Sequence, residues 1–247
     1  MRIRNIKIIT EYDGTNYHGW QRQKNILTIQ QLLEEAIGQV TGENVTVIGA
    51  GRTDARVHAR NQSAHFKITS LIGTRNLLLG INSLLPKDVV VKELKEMNEA
   101  FHARFDVKSK VYMYQIYNAP VRSALYRDYA WHVRAPLDLE KMEECFPILK
   151  GAHDFSSFCG KKTSDINCVR TIKDIYIKNK DPEQMRIFIE ADGFLRYMAR
   201  SIVGTMVEIG MGRRMPQDLF VILEARERGR AGITAPPHGL FLVEVKY

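Results

Sequence analysis

Asp54 lies in the run Gly51-Arg52-Thr53-Asp54-Ala55-Arg56-Val57-His58-Ala59, directly after the apolar stretch Val45-Thr46-Val47-Ile48-Gly49-Ala50. A carboxylate at the end of a core strand, with cations on both sides, stays ionised, and facing a cleft it can attack an electrophile. Arg52 and Asp54 are two residues apart and share a side on an extended segment. Together with Arg56, His58 and Arg60 they form a cluster that would keep the carboxylate charged and attract phosphates. On an ordinary surface turn the same spacing gives a local ion pair worth under ~1 kcal/mol. The density of charge straight after an apolar strand argues for chemistry instead.

Two further groups have side chains suited to a flat, charged substrate. Tyr112 and Tyr114 share one face of the strand-like run Lys110-Val111-Tyr112-Met113-Tyr114. Cross-strand aromatic packing would account for them. A ring stacked on an unpaired nucleobase is worth ~1–3 kcal/mol, and a phenol can also relay a proton. Arg196 and Arg200 are four residues apart in Leu195-Arg196-Tyr197-Met198-Ala199-Arg200. On a helix from Leu195 to Ile209 they would share a face near its N-terminus, opposing the helix dipole by ~0.3–1 kcal/mol. That placement suits an acidic partner, either a phosphate or a buried aspartate.

The elements that must position these residues follow from periodicity. A strand reads from Arg2 to Glu11 and ends in the turn Tyr12-Asp13-Gly14-Thr15. Thr28 opens a helix with Gln31 at capping-box spacing, Ile29, Leu32, Leu33, Ala36, Ile37 and Val40 form its apolar face, and Gly42 closes it. Strands follow at 45–50 and 62–68, a helix over 73–83, and a strand over 89–94. This β-α-β-β-α-β order predicts a split β-α-β, ferredoxin-like sheet. The second half repeats the order more loosely. Strands are expected at 110–117, 129–133, 170–178, 185–191 and 240–246, and helices at 138–149 and 195–209. The predicted class is α+β, with halves over 1–105 and 106–247.

Composition narrows the partners. The chain has 247 residues, 45% of them hydrophobic and 26% charged, as in an ordinary globular protein. Its apolar runs all fall short of the ~18 residues that a membrane span needs. The N-terminus has no secretory apolar region, so the expected compartment is the cytoplasm. Cys145, Cys159 and Cys168 are too few and too uneven for a disulfide framework, and Cys159 and Cys168 have no histidine at metal-ligand spacing. Buried, inert thiols are expected. Lysine and arginine number 36 against 28 acidic residues, a net charge of +8 that favours a polyanionic partner.

These pieces together resemble the TruA-type tRNA pseudouridine synthases. The central match is Gly51-Arg52-Thr53-Asp54-Ala55 with Val57-His58-Ala59. In order along the chain come Tyr12-Asp13-Gly14, Tyr17 with Gly19-Trp20-Gln21, Phe101-His102-Ala103-Arg104-Phe105 and Lys110-Val111-Tyr112. Gly151-Ala152-His153-Asp154-Phe155, Val203-Gly204, and Ala235-Pro236 with Gly239-Leu240 complete the series. The resemblance implies two ferredoxin-like halves with antiparallel or mixed sheets meeting at a basic cleft, usually in a homodimer. It implies isomerisation of uridine to pseudouridine in the anticodon stem-loop of tRNA, without metal or organic cofactor. It places the nucleophile on Asp54, the active-site tyrosine on Tyr112 and the aspartate's arginine partner on Arg200. Arg52, Arg56, His58 and Arg60 fall where they would bind the RNA, and Tyr112 would also hold the base.

The chain departs from the family's pattern in one concentrated place. Glycine is usual where this chain has Arg56 and again where it has Asn61. The arginine helix reads Ala199-Arg200-Ser201 in place of the common Val-Arg-Asn. Two readings stand beside the main one. The chain is a paralogue acting on another tRNA or ribosomal RNA site, or it is a non-catalytic RNA-binding or RNA-folding protein. A generic RRM-type reader is disfavoured, because its aromatic motif is missing and the chain is long for one such module.

Overall fold

Alternation of Ile6, Ile8, Thr10 and Tyr12, all buried, makes the first strand β1 (Arg4–Tyr12) and gives it a core-facing side. The computed structural model describes residues 2–160, 167–178 and 181–247. The chain divides into two units, Met1–Lys108 with Leu242–Tyr247, and Ser109–Phe241.

In the first unit β1 is followed by α1 (Ile29–Thr41), β2 (Ile48–Gly49), β3 (His58–Ile68), α2 (Thr74–Leu84) and β4 (Val89–Met97). β1 pairs antiparallel with β3 on one side and β4 on the other, and β2 pairs antiparallel with β3. The resulting order, β4-β1-β3-β2, is that of a ferredoxin-like sheet. Ile29, Leu33 and Ile37 of α1 and Leu77 and Ile81 of α2 are fully buried, as are Ile6, Ile8 and Phe66 of the strands. Tyr247 fastens the C-terminal segment here by donating to Ser63 Oγ at 2.7 Å.

The second unit runs β5 (Ser109–Asn118), β6 (Trp131–Val133), α3 (Leu139–Leu149), β7 (Gly151–Asp154), β8 (Val169–Lys178), β9 (Met185–Ala191), α4 (Met198–Gly210) and α5 (Asp218–Ala225), and then β10 (Leu240–Lys246) opens. β9 lies between β5 and β8, antiparallel to both, and β7 follows β8. β5 is buried on both faces, as Tyr112, Met113, Tyr114, Gln115 and Ile116 show. The α+β class and the repeated ferredoxin-like order are thus both present. Among the described residues no helix is long and apolar enough to cross a membrane. The three cysteines are buried thiols.

Three local expectations fail, each for a visible reason. The capping box at Thr28 does not form. Thr28 makes no side-chain cap bond, and Gln31 donates to Glu35 at 2.9 Å. The first N–H groups of α1 are already used, Ile29 N–H by the Gly19 carbonyl and Gln30 N–H by the Trp20 carbonyl. The buried strand over 45–50 shrinks to Ile48–Gly49. Side chains of α1 take the backbone groups of Val47: its N–H donates to Glu34 at 3.0 Å, and its carbonyl accepts from Gln30 at 3.1 Å. Those bonds replace a sheet ladder. The last failure is the helix expected from Leu195. It begins at Met198, because Tyr197 turns the backbone to φ +65°. Arg196 therefore precedes α4 and does not share a helix face with Arg200.

Candidate active site

In the first unit the chain from Ala50 to Val57 is irregular, and its shape comes from hydrogen bonds to the segment before α1. Trp20 N–H donates to the Thr53 carbonyl at 3.1 Å, and Arg56 N–H to the Tyr17 carbonyl at 3.1 Å. The Tyr12 hydroxyl meets Thr53 Oγ1 at 2.8 Å, and Gln62 Nε2 donates to the Gly51 carbonyl at 2.9 Å. Val57 N–H closes a turn on the Asp54 carbonyl at 3.2 Å. Gly19, at φ +88°, passes so close that a Cβ there would lie 2.4 Å from the Thr53 carbonyl oxygen. Only glycine satisfies both demands.

This frame leaves Asp54 half-buried between the buried Thr53 and the exposed Ala55. Arg52, Arg56 and Arg60 are exposed. His58 is placed differently. It is buried, its Nδ1 accepts the Gly14 N–H at 3.0 Å, and it lies 3.1 Å from the Asp13 carboxylate. It braces the loop from beneath. Tyr17 is also part of the frame, its hydroxyl donating to Asp88 at 2.6 Å; burial and that carboxylate push its pKa up.

The two positions where the usual glycine is replaced behave differently. Arg56 has φ +64°, the left-handed region that glycine enters freely. Asn61 lies in β3, and its amide is put to work there. It donates to the Val243 carbonyl at 2.8 Å, and its oxygen accepts from Lys92 at 3.0 Å.

In the second unit β5 and α4 carry the other candidates. Tyr112 is buried and packs edge-to-face on Phe194, with ring centroids 4.8 Å apart. Tyr114, two residues on, donates its hydroxyl proton to the Pro236 carbonyl at 2.8 Å, and burial pushes its pKa well up. A phenol so committed is structural. Arg200 is half-buried in the first turn of α4, its Nε donating to the Ala235 carbonyl at 2.7 Å. Ala235 N–H returns a bond to the Arg200 carbonyl at 3.1 Å.

The segment 231–235 is tied closely to α4. Gly232 N–H donates to Thr205 Oγ1 at 2.9 Å and Ile233 N–H to Glu208 at 3.0 Å. A Cβ on Gly204 would lie 1.8 Å from the Ile233 carbonyl oxygen. Arg228 braces the same strap by donating to the Gly232 carbonyl at 2.9 Å and to Thr234 at 2.7 Å. Sequence reasoning passed over Tyr197, whose ring both Arg196 and Arg200 approach, at 4.7 Å and 4.9 Å. The available signal was a tyrosine with arginine one residue before and three after. Among the described residues no cluster of three or more histidine, cysteine or acidic groups is arranged to hold a metal ion.

The first unit thus offers a half-buried carboxylate in a hydrogen-bonded loop beside exposed arginines, and the second a buried tyrosine against a phenylalanine and an arginine gripped at its Nε. Comparison with known proteins identifies the family. The sequence profile of the family described as tRNA pseudouridine synthase matches residues 8–106 and 147–247. The tRNA pseudouridine synthase A of Thermoanaerobacter sp. (strain X514) is 45% identical over 245 residues, 99% of this chain and 100% of that protein. That of Acetivibrio thermocellus is 46% identical over 245 residues, with the same coverage. The tRNA pseudouridine synthase A 2 of Clostridium tetani is 44% identical over 246 residues, 99% of both chains. The chain therefore belongs to the tRNA pseudouridine synthase family, a family of isomerases.

Proposed function

We propose that this enzyme converts uridine to pseudouridine in the anticodon stem-loop of tRNA, with Asp54 as nucleophile, Arg200 as the cation that keeps it anionic, and Tyr112 as the ring that retains the base. The observation that carries the reading is Asp54 in its Gly-Arg-Thr-Asp loop, in a chain that matches the family over residues 8–106 and 147–247. The isomerisation breaks N1–C1′ and forms C5–C1′; C5 loses its proton to solvent and N1 gains one. A carboxylate serves this reaction whether it attacks C1′, takes the C2′ proton or adds to C6, and in every case it must be unprotonated. A phenol on the base can stop its escape and relay the C5 proton.

A uridine inside a helical stack is out of reach, so it must be flipped out, at a cost of a few kcal/mol. The exposed Arg52, Arg56 and Arg60 are assigned to the displaced backbone, with His58 shaping the loop that carries them. A homodimer belongs to the same reading and is checked by light scattering.

Asp54→Asn tests the proposal. The amide is nearly isosteric but not nucleophilic, so tritium release from 5-labelled uridine should disappear while tRNA affinity stays within a few-fold. Normal turnover by that variant would refute the assignment. Mapping pseudouridines in a strain lacking the chain then locates the uridine. Loss confined to ribosomal RNA would replace the anticodon assignment with the paralogue reading.

A further inference from the structure

The turn before α4 holds an arrangement to which the roles above give no part. Tyr197 has φ +65°, an outlier for a bulky side chain. Asparagine or glycine would enter that conformation with less strain. The backbone is nonetheless fixed there: Gly160 N–H donates to the Arg196 carbonyl at 2.9 Å, and Ser201 N–H to the Tyr197 carbonyl at 2.8 Å.

What the strained position delivers is a ring beneath two cations. The Arg200 guanidinium carbon lies 4.9 Å from the ring centroid, and that of Arg196 lies 4.7 Å from it, both within cation–π range. Arg196 also donates to the Tyr197 hydroxyl at 2.9 Å. Among its contacts, the Ala235 carbonyl holds Arg200 at Nε and the ring lies against its guanidinium. A guanidinium held at one point swings about its last side-chain bonds. Held at two, it presents its remaining N–H groups in one direction, and a planar donor fork depends on that direction to meet a carboxylate.

We propose that Tyr197 is a positioning residue for the isomerisation, its ring fixing the orientation in which the Arg200 guanidinium meets its anionic partner. The proposal rests on Arg200 being the catalytic arginine. It goes beyond that reading by naming the group that aims it and by giving the left-handed turn a purpose. In this role Tyr197 acts through Arg200 and not on a reacting atom. Its loss should therefore lower turnover and leave RNA binding, which draws on other cations, almost unchanged.

The test uses the full-length enzyme with Tyr197→Gly and Tyr197→Asn, both at home at this φ, and Tyr197→Phe, which keeps the ring and drops the hydroxyl. The two ringless variants are expected to keep or raise the thermal midpoint. Their kcat should fall about 10- to 100-fold, the scale of a small misplacement in an active site. KM for tRNA should stay within about threefold, and Tyr197→Phe should keep kcat within about threefold of wild type. Wild-type kcat in either ringless variant overturns the proposal. So does a rise in KM at unchanged kcat, and so does a Tyr197→Phe as impaired as Tyr197→Gly.

Arg200→Met run in parallel separates the two claims. If it turns over normally, the catalytic arginine and its positioning residue fall together. If it is inactive while Tyr197→Gly is fully active, only the positioning role falls.

Discussion

The Asp54 loop and the start of α4 hold their candidate side chains by opposite means. Around Asp54 the backbone is irregular, and backbone and side-chain hydrogen bonds from Tyr12, Gly14, Tyr17 and Trp20 dictate its course. Around Arg200 the backbone is a regular helix, and what needs fixing is the direction of a long side chain, which Ala235 and Tyr197 supply. In the first region shape is a property of the chain path; in the second it is a property of rotamers. Substitutions should therefore fail differently in the two places. Changes to the close backbone contacts of the loop should disturb its path, and changes to the strap and side chains around Arg200 should disturb the direction of the arginine.

The largest expected effect tests the helix side. Gly204→Ala would raise helix propensity in an exposed helix. Here the added methyl would meet the Ile233 carbonyl at 1.8 Å, in a strap tied down at Gly232, Ile233 and Ala235. The strap must shift and carry the Ala235 carbonyl away from Arg200. A stability loss of about 3 kcal/mol in urea unfolding is expected, with a fall in kcat beyond what the folded fraction explains. A stable, fully active variant would mean that the strap does not hold the arginine.

Gly19→Ala is the matching change on the loop side. It combines φ +88° with a Cβ 2.4 Å from the Thr53 carbonyl oxygen, the acceptor of the Trp20 N–H. About 2 kcal/mol of destabilisation is expected, together with loss of activity. If activity fell with no change in unfolding midpoint, the loop would be less rigid than its hydrogen bonds indicate.

How far the sequence could be read follows the same division. Regular elements with a clean apolar period were legible: β1, α1, β9 and β10 lie where alternation or a 3.6-residue stripe puts them. β2 was overread, because an apolar run says nothing about whether Gln30 and Glu34 will claim its backbone groups first. α5 was missed; Phe220 and Val221 are exposed while Leu219 and Ile222 are buried, so its apolar residues form no one-sided stripe. In the candidate site, Asp54, Tyr112 and Arg200 stood out by type and by resemblance. The left-handed turn at Tyr197 did not. An aromatic residue inside a helical pattern reads as helix, and only long-range bonds reveal that it is not. The burial of His58 was equally hidden, since a histidine among arginines looks like one more cation.

His65 gives a pH test of the first unit's frame. Its Nδ1 accepts the Ala103 N–H at 3.1 Å, so protonation breaks a bond in a buried place. Burial, then the nearby charges of His102 and Lys67, lower its pKa from 6.5 to about 4. The unfolded chain takes up this proton near the ordinary value, and the folded chain does not until near 4. The contribution to stability is fully present above the ordinary value and is lost as the pH falls from there towards 4. After allowance for partial solvent screening, about 1–2 kcal/mol should disappear across that window. Asparagine at 65 can place its Oδ1 near the Nδ1 position and keep the acceptor without titrating. The urea midpoint of wild type should therefore fall more steeply than that of His65→Asn between neutral pH and about 4.5. Parallel curves would remove His65 from the account.

The smallest effect is the most direct test of whether the loop's path is independent of its exposed side chains. Arg56 sits at φ +64°, and its N–H bond to the Tyr17 carbonyl needs no side chain. Arg56→Gly should keep that bond, relieve the left-handed backbone and stabilise the protein by about 0.5–1 kcal/mol. If the guanidinium contacts one phosphate, tRNA affinity should weaken, and the slope of log affinity against log salt should become shallower by about 0.7–0.9. Turnover at saturating tRNA should stay within about twofold, because the backbone that carries Asp54 is unchanged. A fall in kcat at unaltered affinity would show that the arginine shapes the loop, and the contrast between the two regions would then fail at its first term.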